Sequence, residues 1–294
     1  MNKQKALFCG LCITDIQMFV EAYPPSNTKI KAERYEILTG GPAANAAITC
    51  SFLGIESTLL SPVGSHFLSE KLKTNIADFN VQLIDPIHGT DSEPLIANII
   101  TDKSNGERTV FSYHPQIDIP MSNIDVILPT LNEYDITLFD GFYPKLSVSV
   151  LQRLKQNSIT TVLDGGSWKP GFEELLPYID IAICSADFFP PGTNNTQEVI
   201  EFLNHRNIKK IAITRGDKSI IIVESGEIME IKVPAIKCSD TLGAGDIFHG
   251  AFCYFYPELK NFENSLMRAA ETASFSCKYN GTRSWMEHYK KLNQ

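Results

Sequence analysis

Two hydrophobic periodicities alternate along most of the 294-residue chain. Short apolar runs predict strands at KALFCGLCI, VQLI, YDITLF, ITTVLD, IDIAIC and KKIAIT. Helical spacing predicts helices at PAANAAITCSFLG, FLSEKLKTNIADF, LSVSVLQRLKQN, TQEVIEFLNHR, AGDIFHGAFCYFY, NSLMRAAETASFSCKY and WMEHYKKL. SIIIVESGEIMEIKV predicts a hairpin that turns at Ser225 and Gly226. Because strands and helices alternate, we expect an α/β fold: a mostly parallel central sheet flanked by helices.

Two segments, residues 15–38 and 94–114, interrupt this alternation. Both read as extended strands joined by turns, with no helix between them. They predict a small β-sheet set apart from the main body as a lid. No internal repeat or domain linker is evident, so we expect one domain over residues 1–294.

Charge and cysteine content narrow the classes of partner. The chain has 26 basic and 34 acidic residues, a net charge of −8, which argues against binding to nucleic acid or anionic membranes. No apolar run is long enough to span a bilayer, and the N-terminus lacks a signal-peptide cleavage site. The seven cysteines lie mostly in apolar segments, and the Cys9–Cys12 pair has no second pair to complete a metal site. We therefore expect a cytoplasmic protein with reduced thiols.

The stretch KCSDTLGAGDIFHGAF, residues 237–252, concentrates glycines at the predicted start of a helix. Glycine is costly inside helices, but it lets a ligand approach the free N–H groups at a helix N-terminus. Gly243, Ala244 and Gly245 therefore predict an anion site suited to a phosphate oxygen. Asp246 beside it could take the proton of an attacking hydroxyl group.

The alternative for this stretch is an ordinary helix start, capped by Asp240 or Thr241 with Asp246 as a dipole partner. The full pattern D-T-x-G-A-G-D-x-F-x-G-A-F is much more specific than a pair of glycines. His249 occupies an unspecified position of this pattern, and we interpret it as an ordinary helix residue.

The same stretch resembles the second signature of the ribokinase/PfkB carbohydrate-kinase family. GGPAANAAITCSFLG, residues 40–54, resembles the first signature, and the two occur in the family's order. The resemblance spans nearly the whole chain. It implies a ribokinase-like fold and ATP-dependent phosphorylation of a hydroxymethyl group on a sugar or sugar-like substrate. It also implies Mg²⁺ and allows K⁺ beside the IKCSDT and KYNGTR segments.

By this resemblance Asp246 is the catalytic base, and the Gly243–Gly245 amides form the anion hole. The sugar contacts it implies are Asp15, Gly40, Gly41 and Asn45. The residue types agree, because Asp15 is predicted to end a strand, where α/β folds bind ligands, and an asparagine amide both donates and accepts hydrogen bonds. The alternative for Asp15 is an acidic residue in a turn, and for Gly40 and Gly41 an ordinary tight turn. For Asn45 it is a surface position on a helix.

Further candidates come from the same comparison. Asp140 matches an acidic sugar contact. Arg108 on a lid strand could reach substrate, although a solvated strand arginine is the preferred interpretation. Thr214, Gly216 and Thr241 are expected on the ATP side. Asp164 is the candidate metal ligand, and Lys169 is expected to lie near the metal or the phosphate.

One family motif is missing. The N-x-x-E motif that organises magnesium-bound water in many members is not reproduced at Ser185, Ala186 and Asp187. NGERTV and DTLGAGD resemble the ketohexokinase branch, which favours a keto-sugar.

Other functions remain as alternatives. A nicotinamide-dependent oxidoreductase would need G-x-G-x-x-G after the first strand, and a P-loop enzyme would need G-x-x-x-x-G-K-[ST]; neither occurs. A nucleoside kinase and a non-catalytic sugar- or nucleotide-binding regulator stay open, although an intact Asp246 argues against the regulator. Edge strands in the lid favour a homodimer.

Overall fold

The computed structural model describes residues 3–104, 107–157 and 159–292. In this part of the chain the strands are β1 (Lys5–Cys9), β2 (Ile13–Val20), β3 (Arg34–Gly40), β4 (Glu56–Leu60), β5 (Gln82–Ile84), β6 (Ile96–Asp102), β7 (Arg108–Tyr113), β8 (Ile136–Phe139), β9 (Thr160–Gly165), β10 (Ile181–Ser185), β11 (Lys210–Arg215), β12 (Lys218–Glu224) and β13 (Glu227–Ile231). The α-helices are α1 (Pro42–Leu53), α2 (Phe67–Asp78), α3 (Met121–Ile127), α4 (Pro144–Leu154), α5 (Phe172–Leu175), α6 (Thr196–Asn204), α7 (Ala244–Leu259), α8 (Phe262–Ser276) and α9 (Trp285–Leu292).

The larger sheet has the strand order β13-β12-β11-β10-β9-β8-β1-β4-β5. It is parallel from β11 to β5, and β12 and β13 are antiparallel at one edge. Adjacent residues of a strand point to opposite faces, so Leu7 and Phe8 of β1 join different apolar cores. The predicted mostly parallel sheet is confirmed.

The hairpin prediction is also correct. Ser225 and Gly226 form the two-residue loop between β12 and β13, with φ of 53° and 90°. Positive φ values at both central residues are typical of a type I′ turn, whose twist matches that of the two antiparallel strands it joins.

The small sheet contains β3, β2, β6 and β7 in that order. Strand β2 is antiparallel to β3 and parallel to β6, and β6 is antiparallel to β7. Its strands overlap the two segments predicted as a separate β layer, although β2 begins at Ile13 and β3 ends at Gly40, outside residues 15–38. Asn105 and Gly106 of NGERTV lie outside the described residues.

The prediction of one strand over KALFCGLCI is wrong. Strand β1 ends at Cys9, and β2 begins at Ile13 in the small sheet. The Leu11 N–H donates to the Asp140 carboxylate at 2.8 Å instead of continuing the ladder. Asp15 therefore lies inside β2, and does not end a strand of the main sheet as predicted.

All seven cysteines are free, and six of them are buried, Cys238 being exposed. Among the described residues, no helix combines the length and apolar character needed to cross a bilayer.

Helices α1 and α7 approach closely because Gly250 has no side chain. A Cβ at this position would overlap the Ala46 carbonyl oxygen and lie 2.7 Å from Thr49 Cβ. Asn45 stands next to that contact on α1, and Asp246 lies one turn before it on α7. The packing therefore brings together two residues that are 201 positions apart in sequence.

We predict that Gly250→Ala destabilises the protein by ~1–3 kcal/mol, the usual cost of overpacking. Helix propensity alone would favour alanine by ~1 kcal/mol, so the sign of the change identifies the dominant effect. Urea unfolding measures it. Glu258→Ala, at an exposed position of the same helix, serves as the control and is expected to change stability by less than about 0.5 kcal/mol. A Gly250→Ala variant more stable than wild type would contradict the packing argument.

Candidate active site

The glycine-rich turn opens helix α7 and leaves backbone donors unused. Gly243 is the N-cap residue with φ of 68°, and a Cβ there would approach Thr282 Cγ2 at 2.6 Å. The Ala244 N–H donates to the Thr241 carbonyl at 3.2 Å. The N–H groups of Gly245 and Asp246 lie in the first turn, where no intrahelical acceptor exists. A Cβ on Gly245 would meet no atom within 4 Å, so this end of the helix is open to a ligand.

Asp240 fixes the segment that precedes the helix. Its Oδ1 accepts the Leu242 N–H at 2.9 Å, and its Oδ2 accepts the Gly281 N–H at 2.8 Å. The Ser239 N–H also bonds to the Cys277 carbonyl at 2.7 Å. The IKCSDT and KYNGTR segments, predicted to adjoin a K⁺ ion, therefore lie side by side; the ion itself stays a prediction.

Arg108 reaches across from strand β7 to this segment. Its Nη1 donates to Asp240 Oδ1 and its Nη2 to Thr241 Oγ1, both at 2.8 Å. The arginine side chain is only 19% exposed. The alternative of a solvated strand arginine is therefore wrong, while its contact with substrate stays a prediction.

Asn45 and Asp246 meet at the α1–α7 contact. The Asn45 Nδ2 donates to Asp246 Oδ2 at 2.7 Å. Asn45 is buried, so the interpretation as a surface asparagine is wrong. A hydrogen bond to the ionised carboxylate favours the ionised state, which is the state a general base needs.

Arg283 is a site residue that sequence reasoning missed. Its Nη2 donates to Asn45 Oδ1 at 2.7 Å and to the Thr39 carbonyl at 3.1 Å. Because a guanidinium only donates, it fixes the Asn45 amide with its oxygen toward Arg283 and its nitrogen toward Asp246. Its only sequence signal is the KYNGTR segment, which the family resemblance connects with K⁺ alone.

Burial and mutual repulsion perturb the charged groups of this array. Burial raises the pKa of Asp246 to about 6, with a smaller contribution from the charge of Asp164, while the Asn45 hydrogen bond opposes the shift. Burial, then Asp246, raises the pKa of Asp15 to about 7, and Arg283 opposes it. Burial lowers the pKa of Arg283 to about 10, against the attraction of Asp246 and Asp15. The three charged groups therefore share one desolvated site.

Gly40 and Gly41 allow close contacts within the chain. A Cβ on Gly40 would overlap the Asp15 carboxylate, and one on Gly41 would overlap the Leu11 carbonyl. Gly41 also has φ of 98°, which disfavours other residues. Sugar contact by these glycines stays a prediction.

Asp140 is fully buried and holds three backbone N–H groups. Its Oδ2 accepts from Leu11 and Ala43 at 2.8 and 3.1 Å, and its Oδ1 accepts from Phe142 at 3.0 Å. Burial raises the pKa of Asp140 to about 7, opposed by the Leu11 and Phe142 hydrogen bonds and by Lys169. Asp140 thus joins the β1–β2 connection to the start of α1, and its sugar contact stays a prediction.

The candidate metal ligand Asp164 is buried beside His249. It is 5% exposed, and its Oδ2 lies 3.6 Å from His249 Nδ1. The described residues contain no group of three or more His, Cys, Asp or Glu side chains able to hold a metal ion. The residues present therefore form no protein cage for Mg²⁺, and Lys169 lies over the rings of Phe142 and Phe172.

The expected ATP-side residues lie at the carboxyl edge of the large sheet. Thr214 near the end of β11 pairs with Ser185 of β10 and donates to the Cys184 carbonyl at 3.3 Å. Gly216 has φ of 67° in the next turn, where a Cβ would meet no atom within 4 Å. Their contact with nucleotide, like that of Thr241, stays a prediction.

Comparison with known proteins identifies the class. The family model described as pfkB family carbohydrate kinase matches residues 3–288, so the chain belongs to that family, and the predicted resemblance is confirmed.

Individual relatives agree with this assignment. A nucleoside kinase of Methanocaldococcus jannaschii is 23% identical over 99% of this chain and 96% of its own length. A putative ribokinase structure from Agrobacterium tumefaciens has a TM-score of 0.83 at 19% identity, covering 99% of both chains. Arabidopsis thaliana ribokinase complexed with ribose and ATP has a TM-score of 0.77 at 21% identity, covering 98% of both chains. The ribokinase-like fold is thereby confirmed.

We predict that Asp15→Asn makes stability less dependent on pH. The folded carboxyl has its pKa raised from 3.8 to about 7, so it holds its proton more tightly than the unfolded one. Its stabilising contribution is complete below about pH 4 and is lost as pH rises toward about 7. Between about pH 4 and about pH 7, the unfolding free energy of Asp15→Asn should therefore rise relative to that of the wild type.

Urea titrations at several pH values measure this gain. Asp78→Asn, on the exposed side of α2, is the control that should show no comparable trend. A variant curve parallel to that of wild type would refute the assignment of a raised pKa to Asp15.

Proposed function

We propose that this protein is an ATP-dependent kinase that phosphorylates a hydroxymethyl group of a sugar or sugar-like molecule. Membership of the pfkB family supports the class of reaction. The observation that carries the proposal is the Asp246 carboxylate in the first turn of α7, beside open backbone N–H groups. A carboxylate next to an anion site is unfavourable unless it has a separate task, and proton abstraction is such a task.

In the proposed reaction, Asp246 accepts the proton of the acceptor hydroxyl as its oxygen attacks the γ-phosphorus of ATP. The new O–P bond forms while the bond to the β-phosphate oxygen breaks, and ADP leaves. With a pKa of about 6, Asp246 is mostly ionised at neutral pH and close enough to neutrality to be an effective base. The Gly243–Gly245 turn and the Asp246 N–H stabilise the charge on the transferring group.

The acceptor pocket is proposed on the other side of Asp246. Asp15 accepts hydrogen bonds from substrate hydroxyls, and Asn45 lies between the acceptor and the base. Gly40, Gly41 and Asp140 shape this pocket, and Arg283 keeps the Asn45 amide in one orientation. Because these elements suit any polyhydroxy ligand, a nucleoside is the second candidate acceptor, supported by the nucleoside kinase relative.

The nucleotide is proposed to lie over Thr214, Gly216 and Thr241. Mg²⁺ would arrive with the phosphates and neutralise their charge, since the described residues provide no cage for it. K⁺ beside the IKCSDT and KYNGTR backbones remains part of the proposal.

A turnover screen with ATP and Mg²⁺ against ketoses, aldoses and nucleosides tests the function. We expect ADP formation with sugars, and Asp246→Asn should lower kcat by ~10²–10⁴-fold while nucleotide affinity is nearly retained. Asp78→Asn is the matched control and should behave as wild type. Turnover with nucleosides alone would support the second candidate. Ligand binding without turnover would indicate a regulator, and a fully active Asp246→Asn would remove the base from the mechanism.

The small sheet is proposed to cover the acceptor as a lid and to pair two copies of the chain. Met18, Tyr35, Phe111 and Tyr113 share the sheet face opposite Asp15, as the strand register dictates. Their exposed fractions are 38%, 67%, 56% and 54%. An apolar patch of this kind on an open sheet favours association with another sheet.

We predict that the double variant Tyr35→Asp, Phe111→Asp is monomeric while the wild type is a dimer. Charge on both residues would prevent apolar faces from packing together. Light scattering after size exclusion measures the mass. Ile228→Asp is the control, because Ile228 is 56% exposed on β13, an edge strand of the large sheet. A monomeric wild type would overturn the dimer proposal.

A further inference from the structure

Cys238 and Cys277 are two thiols that the proposed reaction does not use. Cys238 lies between β13 and α7, and among the described residues it is the one exposed cysteine. Cys277 is the C-cap residue of α8 and is 8% exposed. An oxidant in solution reaches an exposed thiol first, because a buried thiol is shielded. The surroundings of Cys238 therefore decide what its oxidation produces.

The backbones of these two residues lie side by side. The Cys277 carbonyl accepts hydrogen bonds from the Ser239 N–H at 2.7 Å and the Asp240 N–H at 3.2 Å. The last carbonyl groups of a helix have no intrahelical partner, so these bonds complete the end of α8. They also hold the peptide group that follows Cys238 against Cys277. A disulfide joins residues whose backbones are neighbours, with Cα atoms ~4.4–6.8 Å apart.

The two side chains interact as well. Burial raises the pKa of Cys277 to about 11, and the charge of the Cys238 thiolate and its hydrogen bond to Cys277 raise it further. A hydrogen bond between side chains acts only over a short distance. The sulfur atoms are therefore neighbours, like the backbones that carry them.

A second pair of neighbouring thiols differs in its access to solvent. Burial raises the pKa of Cys253 on α7, and the adjacent Cys50 on α1 adds to the rise. Both residues are 0% exposed. An oxidant in water cannot reach either sulfur while the protein is folded. Exposure of one thiol beside a buried one thus distinguishes Cys238 and Cys277 from this pair.

We propose that Cys238 and Cys277 form a reversible disulfide when the protein meets hydrogen peroxide. The Cys238 sulfur bonds to one peroxide oxygen, the O–O bond breaks, and the other oxygen leaves as water, so Cys238 becomes a sulfenic acid. The Cys277 sulfur then forms the S–S bond while the S–O bond breaks. The leaving hydroxide takes the thiol proton and departs as a second water. The two sulfurs are oxidised, and the peroxide is reduced.

The disulfide would alter the segment that leads into the glycine turn. Asp240, two positions after Cys238, holds the Gly281 N–H and the Arg108 side chain. An S–S bond is ~2.05 Å long, much shorter than a contact between free thiols, so its formation draws Cys238 inward. The displacement is transmitted through Asp240 toward Gly243. The effect on catalysis rests on the proposed function, whereas formation of the bond does not.

Peptide mass spectrometry of the full chain tests the bond. Reduced protein is treated with hydrogen peroxide, and remaining thiols are blocked with iodoacetamide in denaturant before digestion. We expect one linked pair of peptides, containing Cys238 and Cys277, that dithiothreitol separates. Cys277→Ser should stop at the sulfenic acid of Cys238, which dimedone traps. Cys50→Ser is the control, because it removes a shielded thiol and should form the bond as wild type does.

Two results would overturn the proposal. One is a wild type in which peroxide forms no bond between Cys238 and Cys277. The other is a disulfide between the Cys238 residues of two chains, which non-reducing electrophoresis reveals as a band of doubled mass.

The effect on the site is tested by calorimetric titration of ATP and by kcat, before and after peroxide. Oxidised wild type should lose ~10–100-fold in kcat, as for misplacement of a positioned group by about 1 Å, and recover with dithiothreitol. Cys238→Ser should have the same kcat before and after peroxide. Unchanged ATP affinity and kcat in the fully oxidised wild type would overturn the effect on the site.

Failure of the proposed function is distinguishable from failure of this inference. A wild type that binds ATP without turnover on any acceptor would defeat the kinase function. The disulfide would still be detected by mass, and its effect on the site by the change in ATP affinity.

Discussion

The contact between Gly250 and the Ala46 carbonyl is the constraint on which the rest of the site depends. Helices α1 and α7 can approach this closely only because one residue lacks a side chain. The approach lets the Asn45 amide reach the Asp246 carboxylate directly at 2.7 Å. Arg283 then fixes the amide, and the glycine turn opens the helix end beside the acid. The arrangement of the site residues therefore depends on the close packing of the two helix backbones.

The cost of this arrangement is borne by stability. Asp15, Asp140 and Asp246 all have pKa values raised by burial, so the fold holds carboxylates where water solvates them poorly. The positive charge of Arg283 offsets part of this cost for Asp15 and Asp246. Functional sites commonly contain buried charged groups that reduce stability, because groups that are already positioned and shielded from water need little rearrangement during a reaction.

Much of the architecture could be predicted from periodicity, because strands buried on both faces and amphipathic helices leave distinct patterns. The Gly10–Cys12 region could not, since the chain is apolar on both sides of its passage from one sheet to the other. The position of Asp246 beside an open glycine turn was predictable because the residues concerned are adjacent in sequence. Arg283 was not, because its partners Thr39 and Asn45 lie more than two hundred residues away and only the fold unites them.

Arg108 connects the small sheet by hydrogen bonds to the segment that precedes α7. Its two hydrogen bonds join β7 to Asp240 and Thr241. An outward swing of β7 has to break both bonds, and a shift of Thr241 is transmitted to β7 in return. One side chain therefore ties the position of the small sheet to that of the turn before the proposed base.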